Sequence, residues 1–314
     1  MAPPTKPIAR VAFQGEHGAF SEAAAIQLLG DWITTVPRAT FDRAFRAIAE
    51  GAADALLAPV ENSLAGSVVR VYDLLLESEL SIVAETILPI EHHLIGCPGT
   101  TLAGLKSVSS HPMALAQCER FFQTHPELKR VPAEDTAGSV RDVLASGDKS
   151  AAGIAGRQAA VRYGGVILSE SIQDNVENFT RFVLLIPAAP EAADRVPNTA
   201  RASSPAVLDL MAELMVRQSE QSLTPTMKLS LALRLAHKPG ALLAALEPFA
   251  RHGINLMKIE SRPIHGSPWV YQFFLDMQTD EPGKLETVIS ELRSATSFLK
   301  ILGMYPPARS ESLV

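Results

Sequence analysis

The chain is poor in cysteine, in basic runs and in long apolar stretches. Two cysteines, Cys97 and Cys118, supply neither a disulfide framework nor a CxxC metal pair, so both read as small apolar residues in a reducing, cytoplasmic compartment. A formal charge of −6, a pI near 5.8 and no cluster of Lys or Arg exclude a nucleic-acid footprint and leave small molecules as the expected partners. No window approaches the roughly 20 apolar residues of a membrane span, and the apolar stretch within MAPPTKPIARVAF is too short for a signal-peptide core. The eight histidines contain no i, i+4 pair, and neighbours in a strand such as His92 and His93 point to opposite faces, so no metal is expected. GxGxxG and GxSxG are both absent, which removes the dinucleotide fingerprint and the nucleophile elbow.

The 47% hydrophobic content over 314 residues supports sizeable cores in two or three domains. Ile8 to Phe13 predicts a strand, and Gln14-Gly15-Glu16-His17-Gly18 turns it into a helix whose core face includes Phe20, Ala23, Ala24 and Leu28. That turn fits an anion-binding loop and a plain tight turn equally well. After a strand at Trp32 to Val36, Thr40 caps a helix with Phe41, Ala44, Phe45 and Ile48 on one face. Ala55 to Val60 predicts a third strand, delivering Glu61-Asn62-Ser63 to a strand-to-helix turn before Gly66 and a helix from Val68 to Leu76. Ser63 fits an N-cap there, whereas Glu61 and Asn62 have no capping job and suit a ligand.

Two strands follow between Leu80 and Cys97, separated near Pro89. Lys106 to Ser110 leads into Ser110-His111-Pro112, with Pro112 at a first helical position and one amphipathic helix through Leu115, Cys118 and Phe122. Ser-His adjacency is not a triad, and an N-cap accounts for Ser110 or His111. Further strand and helix units run from Val131 to Ser171, with Asp135-Thr136 as cap candidates. The most demanding stretch is Ile172 to Ile186, IQDNVENFTRFVLLI, where a buried-strand run from Phe182 follows Asn178, Thr180 and Arg181. A polar group entering a core strand costs about 1–3 kcal/mol unless it finds a partner. Polar clusters at strand ends are also where open α/β sheets hold ligands. The alternation over residues 8 to 186 predicts an α/β unit with a largely parallel sheet.

Composition shifts to Ala, Pro, Ser and Arg between Pro187 and Thr226, marking a linker, with a short helical pattern over Val207 to Met215. Beyond it, Leu229, Leu231, Leu233 and Leu235 alternate with polar or small residues as a half-buried strand. A turn at Lys238-Pro239-Gly240 opens a helix with Leu242, Leu246 and Phe249 on one side. Strands at Ile254 to Glu260 and Val270 to Met277 join through Arg262-Pro263 and Gly266. A second helix carries Leu285, Val288, Ile289 and Leu292, and Leu299 to Tyr305 closes the chain as a strand. The order βαββαβ is ferredoxin-like, with helices on one sheet face and edge strands open for pairing between chains.

These motifs together resemble prephenate dehydratases that carry a C-terminal ACT regulatory domain. The resemblance rests on Asn178 with Thr180-Arg181-Phe182, Glu61-Asn62-Ser63 with Gly66, Ser110-His111-Pro112 with Gln117, Gly240-Ala241-Leu242, and Glu260-Ser261-Arg262-Pro263. It implies an α/β fold: a two-lobed, periplasmic-binding-protein-like catalytic unit over 1–187, a linker over 188–226 and a βαββαβ ACT domain over 227–314. It implies conversion of prephenate to phenylpyruvate, with loss of carbon dioxide and water, by a lyase needing no cofactor and no metal. Thr180 is implied at the leaving hydroxyl and Arg181 at a substrate carboxylate; Phe182 completes that motif, and Asn62, Ser110 and Gln117 match active-site positions. Glu61 fits two parts, a carboxylic acid of raised pKa or a structural contact between lobes. L-Phenylalanine is the implied effector, binding between paired ACT domains of a homodimer or homotetramer near Gly240, Ala241, Leu242, Asn255, Leu256, Glu260 and Ser261. Three features depart from the family pattern: the linker is long, Glu177 stands where a second amide is common, and Leu243 follows Leu242 where the family varies. Arogenate as substrate, and a non-catalytic amino-acid sensor, are the alternatives. An iron-dependent aromatic hydroxylase lacks its ligand set here.

Overall fold

The computed structural model describes residues 9–188, 205–219, 226–264 and 266–308. Residues 1–8, with the expected absence of a leader, and the linker at 189–204 and 220–225 lie outside the described residues.

In chain order the elements are β1 (Arg10–Gln14), α1 (Phe20–Leu29), β2 (Thr34–Arg38), α2 (Phe41–Ala49), β3 (Ala55–Asn62), β4 (Gly66–Ser67), α3 (Val69–Glu77), β5 (Leu80–Pro89), β6 (His93–Gly96), β7 (Ser107–Ser110), α4 (Pro112–Ala116), α5 (Glu119–Thr124), β8 (Lys129–Pro132), α6 (Thr136–Ser146), β9 (Ala151–Ala155), α7 (Arg157–Tyr163), β10 (Val166–Ser169) and β11 (Phe179–Pro187). Then come α8 (Pro205–Ser219), β12 (Met227–Arg234), α9 (Ala241–His252), β13 (Asn255–Ile264), β14 (Ser267–Thr279), α10 (Gly283–Ala295) and β15 (Phe298–Tyr305). They form two compact units. One holds Ile87–Phe182 and the described residues before Arg70; the other holds Arg70–Thr86 and the described residues after Phe182.

The first unit contains two sheets. In one, β1 pairs in parallel with both β2 and β3. In the other, of order β10-β6-β9-β7-β8, β7 is parallel to β8 and β9, but β6 runs antiparallel to β9 and to β10. The second sheet is therefore mixed, because β6 and β10 enter from chain reversals that alternation alone does not reveal. Leu94, Val108, Leu115, Cys118, Phe122 and Ile154 form one core beneath the second sheet. Burial pushes the Cys118 thiol up to about 12, assisted by Asp174, so it is an inert apolar group.

Three local readings change, and the glycine turn before α1, which fitted two readings, gains internal partners. α1 buries Ser21, Ala24, Ala25 and Leu29, not Phe20, Ala23 and Leu28; its polar residues Ser21, Glu22 and Gln27 do not share one face, so periodicity does not fix its rotation. The loop before it is closed from within, since Glu22 accepts from Gly18 N at 2.6 Å, Thr35 Oγ1 at 2.6 Å and His17 Nδ1 at 2.7 Å. Glu61-Asn62-Ser63 is no strand-to-helix turn: β3 extends through Asn62 and folds back on β4, with Gly66 at φ 79° completing the reversal. The helix expected from Pro112 to Phe122 breaks at Gln117, because Asp174 caps α5 by accepting from Glu119 N and Arg120 N, both at 2.9 Å.

In the second unit the strands are ordered β13-β14-β12-β15, all antiparallel, giving the βαββαβ arrangement. Leu229, Leu231, Leu233, Leu285, Val288, Ile289 and Leu292 share its core. Leu242 is 39% exposed and Ala245 takes the inward position in α9, because Gly240, in left-handed conformation at φ 80°, sets where the helix begins. One sheet edge is occupied, not open: β15 meets β5 at Gly303 and Ile82, where a side chain on residue 303 would collide with Ile82 O. Segment 70–86 is tied to these strands by a Tyr72–Phe274 ring contact, an Arg262–Asp73 ion pair at 2.8 Å and a buried Lys228–Glu85 pair at 2.9 Å. Lys300 Nζ takes the carbonyls of Leu75, Leu76 and Ser78 that α3 leaves open at its C-terminus.

Candidate active site and effector loop

The site grows from the end of β3. Asn62 Oδ1 accepts from Leu64 N at 3.0 Å and Ala65 N at 2.8 Å, an Asx turn that fixes its amide. Asn62 Nδ2 is thereby aimed at the start of β11, where it meets Asn178 Oδ1 at 2.7 Å, Thr180 Oγ1 at 2.9 Å and Phe179 O at 3.0 Å. Ser63 is a clip and not a cap: its Oγ donates to Glu177 O and accepts from Phe179 N, both at 2.9 Å. Asn178 Nδ2 continues to Gln117 Oε1 at 3.3 Å, and Gln117 Oε1 lies 2.9 Å from His92 Nε2. Thr180, Asn62, Asn178, Gln117 and His92 thus form one chain of polar contacts running from the end of β3 and the start of β11, through the break between α4 and α5, to the residue before β6.

Thr180 Oγ1 accepts from Asn62, so its own proton is left to point elsewhere. That is the arrangement a hydrogen-bond donor to a departing oxygen requires. Glu61 and Arg181 form a second, separate pair, Oε2 to Nη2, at 3.5 Å. Side chains alternate along both strands, so this pair and the Asn62–Thr180 pair lie on opposite faces.

The remaining expected residues fall elsewhere. Ser110 is fully buried and donates to Ile154 O at 2.6 Å, a bond within its sheet. His111 is the N-cap of α4, accepting from Met113 N. Phe182 is 2% exposed, in the core. In the second unit, Ala241 and Leu242 line a cavity of about 160 Å³ with Leu235, Tyr271 and Phe273. Asn255, Leu256, Glu260 and Ser261 lie along β13, and Lys258 Nζ reaches Glu260 at 3.3 Å. A larger cavity of about 850 Å³, lined by Arg70, Arg234 and Phe274 among others, includes Arg262 and Pro263 of the tail motif but none of the residues expected to bind substrate or effector. Among the described residues no group of three or more His, Cys, Asp or Glu is placed to hold a metal ion, and no helix is long and apolar enough to cross a membrane.

The sequence offers His92 only as a metal ligand, and it marks Asn178 as a polar residue ahead of a core strand without giving it a place among the catalytic residues. Asn178, standing before a core strand, carried its own signal. His92 carried none, since its partner Gln117 is 25 residues away and faces it only because the helix breaks there.

Comparison with known proteins identifies the family. The prephenate dehydratase family profile matches residues 11–189, and the ACT domain profile matches residues 230–294. An Arabidopsis thaliana chloroplastic arogenate dehydratase/prephenate dehydratase is 36% identical over 312 residues, covering 95% of this chain and 72% of the relative. The structure of a prephenate dehydratase from Arthrobacter aurescens in complex with L-Phe is 29% identical, with TM-score 0.77, covering 96% of this chain and 91% of that one. A structure described as a novel type of quorum quenching acylase is 31% identical, with TM-score 0.78, covering 96% and 99%. The chain therefore belongs to the prephenate dehydratase family and carries an ACT domain in its C-terminal region.

Proposed function

We propose that this chain converts prephenate to phenylpyruvate in L-phenylalanine biosynthesis and that phenylalanine, bound at the ACT domain, feeds back on the reaction. The observation that carries this reading is the Thr180 hydroxyl, whose acceptor side is occupied by the Asn62 amide at 2.9 Å. In prephenate the ring carboxylate leaves as carbon dioxide, its bonding electrons enter the ring, and the hydroxyl leaves as water on taking up one proton from solvent. Aromatisation drives the step, so the protein needs only to hold the anion and stabilise charge on the departing oxygen. A threonine hydroxyl is a weak acid, and Thr180 acts here as an oriented donor. Asn62 orients it, and the Gln117 amide offers a neutral donor to a substrate carboxylate. Arg181 serves a carboxylate only by exchanging Glu61, and strand alternation favours their role in holding β3 against β11. Phe182 and Ser110 support the site from the core.

We assign residues 1–187 to the dehydratase, 188–226 to a linker and 227–314 to the sensor, a division supported by the limits of the two family matches. The effector would sit at Gly240-Ala241-Leu242, opposite Asn255, Leu256, Glu260 and Ser261 of a paired copy, which requires a homodimer or homotetramer. Two free, buried cysteines suit a cytoplasmic setting.

Purified protein assayed with prephenate and with arogenate, each with and without phenylalanine, tests the proposal. Faster turnover of prephenate, slowed by phenylalanine, supports it; turnover of arogenate alone assigns the other substrate, and turnover of neither overturns it. An acylase needs an activated nucleophile. Here Thr180 is backed by an amide and Ser110 donates within its sheet, so hydrolysis of an N-acyl substrate is not expected.

A further inference from the structure

We infer that His92 is a positioning residue for the reaction: its Nε2–H holds the Gln117 side chain so that the amide nitrogen, and not the oxygen, is presented to substrate. The inference rests on the assignment of Gln117 to the substrate pocket.

Backbone atoms, which can only donate or only accept, fix the orientation of each amide in turn. Leu64 N and Ala65 N only donate, so the Asn62 atom they meet is Oδ1; Phe179 O only accepts, so the atom facing it is Nδ2. Asn62 Nδ2 must then find Asn178 Oδ1, which turns Asn178 Nδ2 toward Gln117 and requires an acceptor there. That acceptor is Gln117 Oε1, and the same atom lies 2.9 Å from His92 Nε2. Only the tautomer protonated at Nε2 makes that contact a bond. With its oxygen held from two sides, Gln117 turns Nε2 away, and among the described residues that nitrogen has no acceptor. The opposite tautomer of His92 would accept a hydrogen bond from the Gln117 amide nitrogen and favour the flipped amide, which would aim an oxygen at a substrate carboxylate.

Three features show that the ring is placed for this contact. His92 is 3% exposed, with its backbone N–H held by Gln173 Oε1 at 2.9 Å. The Phe20 ring stands edge-on to the imidazole, centroids 5.7 Å apart, and restricts its rotation. Its Nδ1 is buried and, among the described residues, has no partner, a cost that an apolar side chain of similar size would not incur. Burial lowers its pKa; the Gln117 bond opposes that and the neighbouring His93 adds to it, so the neutral ring with its single proton is favoured.

The test compares His92→Leu, His92→Gln, Gln117→Leu and the Leu/Leu double variant, measuring kcat, KM and the unfolding midpoint. Gln is chosen because its amide nitrogen falls near the position of the ring Nε2. Expected results are a loss of at least about tenfold in kcat/KM for His92→Leu with an undiminished unfolding midpoint, recovery of most of that loss in His92→Gln, and a further loss below about twofold when His92→Leu is added to Gln117→Leu. Full activity in His92→Leu beside an impaired Gln117→Leu overturns the inference and leaves the pocket assignment standing. Multiplicative losses in the double variant, or a His92→Leu loss that follows the midpoint and is not recovered by Gln, overturn it too. Full activity in Gln117→Leu overturns the pocket assignment itself.

Discussion

Asn62 Nδ2 lies 2.9 Å from Thr180 Oγ1, and the Asn62 oxygen is committed to two backbone N–H groups on its other side. The amide is thus a one-way device that donates a hydrogen bond to the threonine oxygen and leaves the threonine proton to point outward. Asn62→Asp should reverse the device, because a carboxylate accepts that proton. We expect a fall of about 10²–10³ in kcat for both Asn62→Asp and Thr180→Ala, with KM changed much less. Thr180→Ser should keep most of the rate. Steady-state kinetics with prephenate checks this, and an unchanged kcat in Thr180→Ala would end the role given to that hydroxyl.

The Glu61–Arg181 pair makes a contrasting prediction. Its separation is 3.5 Å and Glu61 is 38% exposed, so a strong contribution to stability is not expected. Glu61→Gln should leave kcat within about tenfold and shift the unfolding midpoint slightly, by the equivalent of about 1 kcal/mol or less. A loss in kcat as large as that of Thr180→Ala would restore Glu61 as an acid in the chemistry.

Glu22 supplies the pH dependence. Burial alone would raise its pKa, but bonds from Gly18 N, Thr35 and His17 outweigh that and hold the carboxyl below its ordinary value. A depressed folded-state pKa stabilises the protein above the unfolded pKa, and the gain disappears as pH falls through the carboxylate range. Glu22→Gln should therefore cost about 1–3 kcal/mol at pH 7, and the gap to the parent protein should close in acid. Urea unfolding at several pH values measures it.

Lys300 closes the C-terminus of α3 by donating to three carbonyls, and burial lowers its pKa even though Glu79 opposes that shift. Lys300→Met keeps the length of the side chain and removes the donors. It should destabilise the second unit by about 1–3 kcal/mol, read as an earlier thermal transition.

Gly240 has φ 80°, a conformation that costs an L residue about 1–2 kcal/mol. Nothing lies within 4 Å of where a Cβ would stand, so backbone strain and not a clash is what a substitution introduces. Gly240→Val should shift the start of α9 and weaken phenylalanine inhibition, measured as the ratio of rates with and without the effector. An identical ratio would move the effector away from this loop.

Much of this molecule was decided by short-range chemistry. Thr40 caps α2 by accepting from Arg43 N, Asp135 caps α6 by accepting from Gly138 N, and Leu285, Val288, Ile289 and Leu292 are the buried face of α10, all as their spacing requires. Local signals of this kind involve residues within one or two turns of each other, so the sequence displays them directly. The family and its polar motifs were legible for the same reason: Asn178, Thr180 and Arg181 are anomalous where a core strand begins.

What the sequence did not contain is the pairing across distance. Asn62 reaches Thr180 over 118 positions and His92 reaches Gln117 over 25. Neither contact has a local signature, and the second exists only because Asp174 breaks a helix that periodicity alone would continue. The occupied edge at Gly303 and the divergence of Thr180 from Arg181 likewise follow from how strands meet. The order of residues set which groups were available, and close packing, which satisfies buried polar atoms in few ways, selected which of them work together.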